Sequence, residues 1–209
     1  MISSKLIREV ALGIMLFGGL ASAAQANLIT NGTFDTDLDD WDISVSSGTS
    51  GVTFDNGTAH VGRPGTPGIV DFSQLFSLET TTSAVEISFD YQWQINKPQL
   101  TDTFEAYFTY SQPGPSAVSS FFLSQTSDAA DFGTTINFST VLNVANVADL
   151  GGSNNAQIAF RLTENNQTAG TRVQVDNVMV NAVPVPAPAT LALLGLGLAG
   201  LGYSRRKKS

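Results

Sequence analysis

Five aspartates lie within eight residues near the start of the chain, in the stretch DTDLDDWD. Carboxylate oxygens are the ligands that hard cations such as calcium prefer. The spacing does not fit an EF-hand loop. A loop beginning at Asp35 would have Asp40 at its glycine position and Ser46 in place of its final glutamate. We therefore interpret the four aspartates after Asp35 as a solvated acidic loop, which is the usual role of a charge run.

Groups that could perform catalysis are few. The chain has no cysteine and a single histidine, His60, which excludes thiolate chemistry and argues against a Ser-His-Asp triad or a multi-histidine zinc site. Paired carboxylates hydrolyse glycosides in many enzymes, but no spacing singles out two of the acidic residues Glu86, Asp90, Glu105 and Glu164. The sequence predicts a protein without catalytic activity, and a secreted polysaccharide hydrolase is the alternative.

Aromatic and amide side chains could instead bind a sugar, because aromatic rings pack against sugar rings and amides hydrogen-bond to hydroxyls. Tyr107 alternates with apolar neighbours and falls on the polar face of its segment. Trp41 is next to the acidic loop, so both core packing and sugar stacking remain open for it. Gln92 lies on the polar side of another alternating segment. These three residues are our candidate ligand-binding side chains.

Charge is distributed unevenly along the 209 residues. Between residues 27 and 188 there are 17 acidic and only four basic residues, which gives this part a net charge of −13. Binding to nucleic acid requires clustered lysine and arginine. We therefore expect no nucleic-acid partner.

The central part of the chain has the two-residue periodicity of β-strands. In AVEISFDYQWQI the residues of one face are all apolar or aromatic and those of the other are all polar, and TFEAYFTY repeats the pattern. Turn signals such as Asn56-Gly57 separate many such short segments. The sequence predicts an all-β fold, an antiparallel β-sandwich over residues 27–182.

The N-terminus has the three parts of a secretory signal peptide. Lys5 and Arg8 precede an apolar run from Val10 to Leu20, and Ala24-Gln25-Ala26 fits the cleavage site. We therefore assign residues 1–26 to a signal peptide and expect the body to be exported.

The C-terminus, residues 183–209, combines a proline motif, an apolar run of about 15 residues and four basic residues. A helix of that length spans about 22 Å, which is short for about 30 Å of hydrocarbon, and the basic end should stay in the cytoplasm. The residues that carry these features are Val185, Pro186, Ala187 and Pro188, followed by Arg205, Arg206, Lys207 and Lys208.

This tail resembles the PEP-CTERM sorting signal of Gram-negative bacteria, although Ala187 replaces the usual glutamate. The resemblance implies recognition by an exosortase, a membrane transpeptidase, and cleavage near the proline motif. It also implies a transient inner-membrane anchor through the short C-terminal helix, and then a location at the cell surface or in an extracellular, biofilm-like matrix.

The body resembles galactose-binding-like jelly rolls, which include several carbohydrate-binding modules. Asp176-Asn177-Val178 matches their closing strand, and Asp35 stands where their opening pattern usually has glutamate. The residues of NLITNGTFDTDLDDW that match the opening pattern are Asn27, Leu28, Asn31, Gly32, Phe34 and Trp41. The resemblance implies one structural calcium ion held partly by Asp35 and Asp176.

Together these features predict an exported, non-catalytic envelope or matrix protein, with exopolysaccharide as its expected ligand. A purely structural or adhesive matrix protein without a defined ligand is a further alternative.

Overall fold

The computed structural model describes residues 26–63, 67–95, 102–127, 131–165 and 171–184. These residues form ten β-strands and no α-helix. The strands are β1 (Asp42–Gly48), β2 (Val52–Asp55), β3 (Thr58–Val61), β4 (Gly68–Phe76), β5 (Thr82–Ile95), β6 (Thr103–Ser111), β7 (Ala117–Thr126), β8 (Thr135–Asn143), β9 (Ala156–Glu164) and β10 (Thr171–Pro184).

The strands form two sheets of five. The first sheet has the order β1-β4-β9-β6-β7, and the second has the order β2-β3-β10-β5-β8. Every pairing between named strands is antiparallel. The predicted antiparallel β-sandwich is confirmed.

The core lies between the sheets because each strand alternates apolar and polar residues. On β5, the inward-facing residues from Val85 to Trp93 are at most 2% exposed. The matching residues of β6 and β9 include Phe104 and Phe160, whose rings stack 6.0 Å apart. The periodicity of these strands was sufficient to predict which of their faces is buried.

The segment before β1 is fixed to the rest of the sandwich by hydrogen bonds. The backbone N–H of Val178 donates to the carbonyl of Gly32 (2.8 Å), and the N–H of Leu28 donates to the carbonyl of Val180 (2.8 Å). The buried amide of Gln74 on β4 donates to the carbonyl of Thr30 and accepts from its N–H, both at 2.8 Å. This segment, which we call the opening segment, thus connects β10 of the second sheet with β4 of the first.

The two ends of the body leave the sandwich close together. Asn27 forms a bridge with Asn181 on β10, and its side chain accepts a hydrogen bond from the N–H of Val180 at 2.9 Å. β10 ends at Pro184, which still pairs with Thr82. Residue 27 and residue 184 are therefore close to the same strand end.

The terminal segments assigned from the sequence lie outside the described residues. This applies to nearly all of the signal peptide and to the C-terminal apolar helix. Within the described part, no helix has the length and apolar character needed to cross a bilayer.

Candidate functional site

The outer face of the first sheet carries a row of side chains in direct register. Ser73 on β4 pairs with Ala159 on β9, Ala159 pairs with Tyr107 on β6, and Tyr107 pairs with Phe121 on β7. Ser73, Ala159 and Tyr107 each lie between buried neighbours along the strand and therefore point away from the core. Phe121 contacts the ring of Tyr107 on the same face. Two adjacent aromatic residues, Tyr107 and Phe121, thus lie on this outer face.

Tyr107 reaches across β9 to β4. Its hydroxyl donates to Oδ1 of Asp71 at 3.0 Å, although two strand spacings separate β6 from β4. Ala159, which lies between them in the register, is fully buried. The ring of Tyr107 therefore extends along the sheet over Ala159, and the side chain remains partly exposed.

Asp71 is fixed by a second partner. Arg161 on β9 donates to both of its oxygens, from Nε at 2.8 Å and from Nη2 at 3.2 Å, which is the strong bidentate geometry of a guanidinium and a carboxylate. The guanidinium carbon also lies 5.5 Å from the centre of the Tyr107 ring, within the range of a cation–π interaction. The three side chains hold one another in position.

The ionisation of this cluster follows from the contacts. The hydrogen bonds to Asp71 raise the pKa of Arg161 above its usual value. Burial raises the pKa of Tyr107, and the negative charge of Asp71 raises it further. Both shifts favour the protonated forms, so at neutral pH Arg161 is a charged guanidinium and Tyr107 a neutral phenol.

Phe121 completes the cluster at the edge of the sheet. Its ring centre is 5.3 Å from that of Tyr107, with 43° between the ring planes, and the side chain is 60% exposed. We call Tyr107 and Phe121 together the aromatic platform. Polar side chains flank it on both sides, with Glu105 and Arg161 in one register row and Gln157 and Thr109 in the other.

The platform was predicted only in part from the sequence. Tyr107 was identified because it interrupts the apolar alternation of its strand. Phe121, Asp71 and Arg161 were not identified, because their proximity depends on the order of strands in the sheet. Phe121 did carry a weak signal, since successive residues of a strand point to opposite faces and one of the adjacent Phe121 and Phe122 must therefore face outward.

Gln92 lies on the other side of the molecule, on the outer face of the second sheet. Its amide donates to the carbonyl of Gly133 at 2.6 Å and accepts from the amide of Gln94 at 3.2 Å. It borders a shallow depression together with Thr58 and Gln174. The strands described for this sheet place no phenylalanine, tyrosine or tryptophan on its outer face. The structure therefore separates Gln92 from Tyr107.

Trp41 is a core residue in this structure. It is 7% exposed, its ring stacks on Phe72 with 4.5 Å between centres, and Phe34 packs at 5.3 Å. Its indole N–H donates to the carbonyl of Asn31 at 3.2 Å. Of the two interpretations that the sequence left open, the structure supports core packing, so we do not assign Trp41 to ligand binding.

The two residues of the expected calcium site, Asp35 and Asp176, interact electrostatically. Burial raises the pKa of Asp176, and the charges of Asp90 and Asp35 add to this effect. Asp90 accepts from the side-chain amide of Asn177 at 2.8 Å. Within the described ranges, no three histidine, aspartate or glutamate side chains form a group that could hold a metal ion. The carboxylates fit calcium only if backbone or amide oxygens supply the remaining ligands.

A different pair of carboxylates is buried at one end of the sandwich. Glu164 is 4% exposed and accepts a hydrogen bond from the hydroxyl of Ser50. Asp102 is fully buried and accepts from the hydroxyl of Thr171. Burial raises the pKa of Glu164 to about 7. Neither group is open to a polysaccharide chain in this structure.

The sorting residues Val185 to Pro188, Arg205 and Arg206 lie outside the described part of the chain. Comparison with known families addresses them directly, because residues 184–207 match the PEP-CTERM protein-sorting motif. The chain carries a PEP-CTERM sorting motif. The resemblance inferred from the proline motif and the basic end is thus confirmed, and the motif implies an exported protein sorted by an exosortase.

The PEP-CTERM motif begins at Pro184, the last residue of β10. No separate linker therefore stands between the sandwich and the motif. A cut near Pro186 or Pro188 would leave only a few residues beyond the last strand pairing.

Solved structures resemble the body in fold. The N-terminal cellulose-binding domain of a β-1,4-glucanase from Cellulomonas fimi matches with a TM-score of 0.52 and 14% identity, over 77% of this chain and 100% of that one. The enzymatically active domain of tailspike protein 4 from bacteriophage CBA120 matches with a TM-score of 0.51 and 15% identity, over 75% of this chain but only 21% of that one. No curated protein sequence matches the chain. The body shares the two-sheet antiparallel sandwich fold of the Cellulomonas fimi domain.

Proposed function

We propose that this exported protein binds an extracellular polysaccharide on the aromatic platform of the first sheet and does not hydrolyse it. The feature that supports the proposal most directly is the ring of Tyr107, which is held along the sheet beside the exposed Phe121. A sugar ring presents C–H groups on its face and hydroxyls on its rim. The platform would contact the face, and Arg161, Gln157 and Glu105 would bond to the rim.

Rigidity supports the same proposal. A side chain that is already fixed loses little conformational entropy on binding. Tyr107 is fixed by its bond to Asp71, and Asp71 is fixed by two bonds from Arg161. The fold of the Cellulomonas fimi domain, which is described as cellulose-binding, makes a glucan a reasonable first probe.

The absence of hydrolysis is part of the proposal. Hydrolysis of a glycoside needs one carboxyl that donates a proton and a second that attacks or activates water. Asp71 is neutralised by Arg161, and Glu164 and Asp102 are buried. Release of reducing sugar that is lost on a single carboxylate substitution would contradict this part and favour the hydrolase.

Replacing Tyr107 by alanine should weaken retention on insoluble cellulose, xylan or exopolysaccharide from the producing cells by at least about tenfold, or about 1.4 kcal/mol. Tyr107→Phe keeps the ring and should retain most of the binding, although it removes the bond to Asp71. The measurement is a depletion isotherm for each polysaccharide, together with the melting temperature of each variant.

Gln92→Ala is the matched control for this experiment, because Gln92 is a polar residue on the opposite outer face. It should bind as the wild type does. If Gln92→Ala loses retention and Tyr107→Ala does not, the ligand binds to the second sheet. If no polysaccharide is retained by the wild type, the purely structural alternative is favoured.

We further propose that an exosortase cleaves the chain near the proline motif, after a transient stay at the inner membrane through the C-terminal helix. The basic residues Arg205 and Arg206 would hold that helix on the cytoplasmic side. The intact mass of the extracellular form should correspond to a chain that begins at Asn27 and ends near Pro186–Pro188. A mass that includes Lys208 would contradict the cleavage.

A structural calcium ion at Asp35 and Asp176 is also proposed, since the charge of Asp35 helps to raise the pKa of the partly buried Asp176 carboxyl. Calcium would relieve their repulsion and should raise the melting temperature, with heat released or absorbed in a calorimetric titration. Asp176→Asn should remove both responses. No heat and no change in melting temperature for the wild type would contradict the site.

A further inference from the structure

The sandwich has two different sides where its sheets end. On one side the first sheet ends at β7 and the second at β8, and the two edges meet through the rings of Phe122 and Phe138, whose centres are 5.7 Å apart. On the other side the sheets end at β1 and β2. An edge strand exposes unpaired backbone N–H and C=O groups, so each side could pair with another strand.

The β7 and β8 edges lack the features that usually prevent such pairing. These two strands are ten and nine residues long and contain no charged residue and no proline. β1 and β2 are seven and four residues long, and each contains an aspartate, Asp42 or Asp55. Proteins commonly protect an edge by short length, charge or proline. Here that protection is found on the β1–β2 side only.

Of the two unprotected edges, β8 is the more regular. β7 contains a bulge between the residues paired with Ala106 and Tyr107, and a bulge interrupts the ladder and twists the strand away. β8 pairs with β5 in continuous register from Thr135 to Asn143 without any shift. A straight strand of nine residues offers about 30 Å of regular backbone for pairing.

The same edge has apolar surface that the sandwich covers only in part. The inward residues Ile136, Phe138 and Leu142 of β8 pack against the core but are only half-buried, as are Val118 and Phe122 of β7. On its outward side β8 carries Val141, which is 58% exposed. A strand placed beside β8 would cover the open side of these residues and gain hydrophobic stabilisation.

We propose that β8 pairs antiparallel with β8 of a second copy of this chain, which joins the two second sheets into one continuous sheet. The distribution of charge restricts contact between two copies to this edge. Residues 27–188 have a net charge of −13, so two copies repel each other wherever their acidic surfaces meet. The sequence between Glu105 and Asp128 and that between Asp131 and Asp149 contain no charged residue, and these stretches include β7 and β8.

The arrangement is closed and symmetric. A strand that pairs antiparallel with its own copy forms a two-fold interface, the commonest kind in homo-oligomers. The outer face of the first sheet stays open in both copies, because the contact is along the edge of the second sheet. The pairing does not depend on whether the aromatic platform binds a polysaccharide.

The test uses the exported protein and measures its molar mass by light scattering during size-exclusion chromatography. Wild type should have the mass of a dimer, and higher salt should strengthen the dimer by screening the repulsion between the acidic bodies. Ser139→Glu and Ser139→Lys should each be monomeric, because Ser139 is exposed in the middle of β8 and each variant places like charges across the two-fold axis. An equimolar mixture of the two variants should return to the dimer mass.

Thr53→Glu is the matched control, since Thr53 is an exposed residue of β2, at the opposite edge of the same sheet. It should remain dimeric and melt as the wild type does. A monomeric wild type at its highest soluble concentration overturns the proposal. So does a dimer that persists in Ser139→Glu, or one that Thr53→Glu disrupts equally. Failure of the mixture to recover the dimer would show that the Ser139 variants act by misfolding and overturns it as well.

Discussion

Replacing Gly32 by alanine should destabilise the body by about 3 kcal/mol or more, which is a large fraction of a typical stability of about 5–15 kcal/mol. A Cβ atom at this position would lie 2.1 Å from the carbonyl oxygen of Val178 and 3.2 Å from Cγ2 of Ile29. The oxygen belongs to the backbone of β10 and cannot rotate away. Moving it would break the 2.8 Å hydrogen bond from the N–H of Val178 to the carbonyl of Gly32.

The experiment is a thermal or urea denaturation of the variant beside Gly51→Ala. A Cβ at Gly51 meets no atom within 4 Å, so that variant changes the same residue type without a clash and should differ from the wild type by less than about 1 kcal/mol. Equal melting temperatures for the two variants would contradict the proposed close contact between the opening segment and β10.

The residues of the opening motif around Gly32 each have a distinct structural role in this chain. Asn31 has a positive φ of 48°, and its side-chain amide donates to the carbonyls of Asp37 and Asp39 at 3.1 and 3.0 Å. Gly32 then allows the backbone to approach β10, and Phe34 enters the core with no exposed surface. The short motif was informative because each of its residues meets a separate steric or hydrogen-bonding requirement.

Much of the fold could be predicted from the sequence because the relevant signal is local. The alternation in β5, β6 and β9 identifies both the strands and their buried faces. β1 was not predicted, since DISVSSG is polar and short, and every residue of the strand is exposed in the structure. It is a strand because it pairs with β4, which is a tertiary effect that its own residues do not encode.

The candidate site could be predicted less well, because it depends on which strands are neighbours. Tyr107, Asp71 and Arg161 come from β6, β4 and β9, separated by up to 90 residues along the chain. Nothing in the residues of β4 and β9 shows that these strands are adjacent to β6. The core position of Trp41 also depends on tertiary packing, since its stacking partner Phe72 lies on β4.

Glu164→Gln should raise the free energy of unfolding, relative to the wild type, by more at pH 8 than at pH 5. The reason is that the variant removes a carboxylate that the fold buries. The oxygen Oε2 of Glu164 accepts from Ser50 and from the N–H of Arg63 at 3.4 Å. The other oxygen, Oε1, is buried and accepts no hydrogen bond from the residues that the structure describes. Burial, together with the charge of Asp102, raises the pKa of Glu164 to about 7 from an ordinary value of 4.5.

The sign of the pH dependence follows from these two values. Below pH 4.5 the group is protonated in both the folded and the unfolded state and costs nothing. Between pH 4.5 and about 7 the unfolded chain releases the proton while the folded chain keeps it, so this group lowers the free energy of unfolding as the pH rises. Above pH 7 the loss is complete and amounts to at most about 3 kcal/mol.

His60 titrates in the same range with the opposite sign, since burial lowers its pKa and the unfolded chain binds the proton more readily. The informative quantity is therefore the difference between Glu164→Gln and wild type, measured by urea denaturation at pH 5 and at pH 8. That difference should favour the variant by about 1–3 kcal/mol more at pH 8 than at pH 5. Glu86→Gln, at an exposed position on β5, should show no such change. A difference for Glu164→Gln that is the same at both pH values would mean that the carboxylate ionises freely in the folded protein.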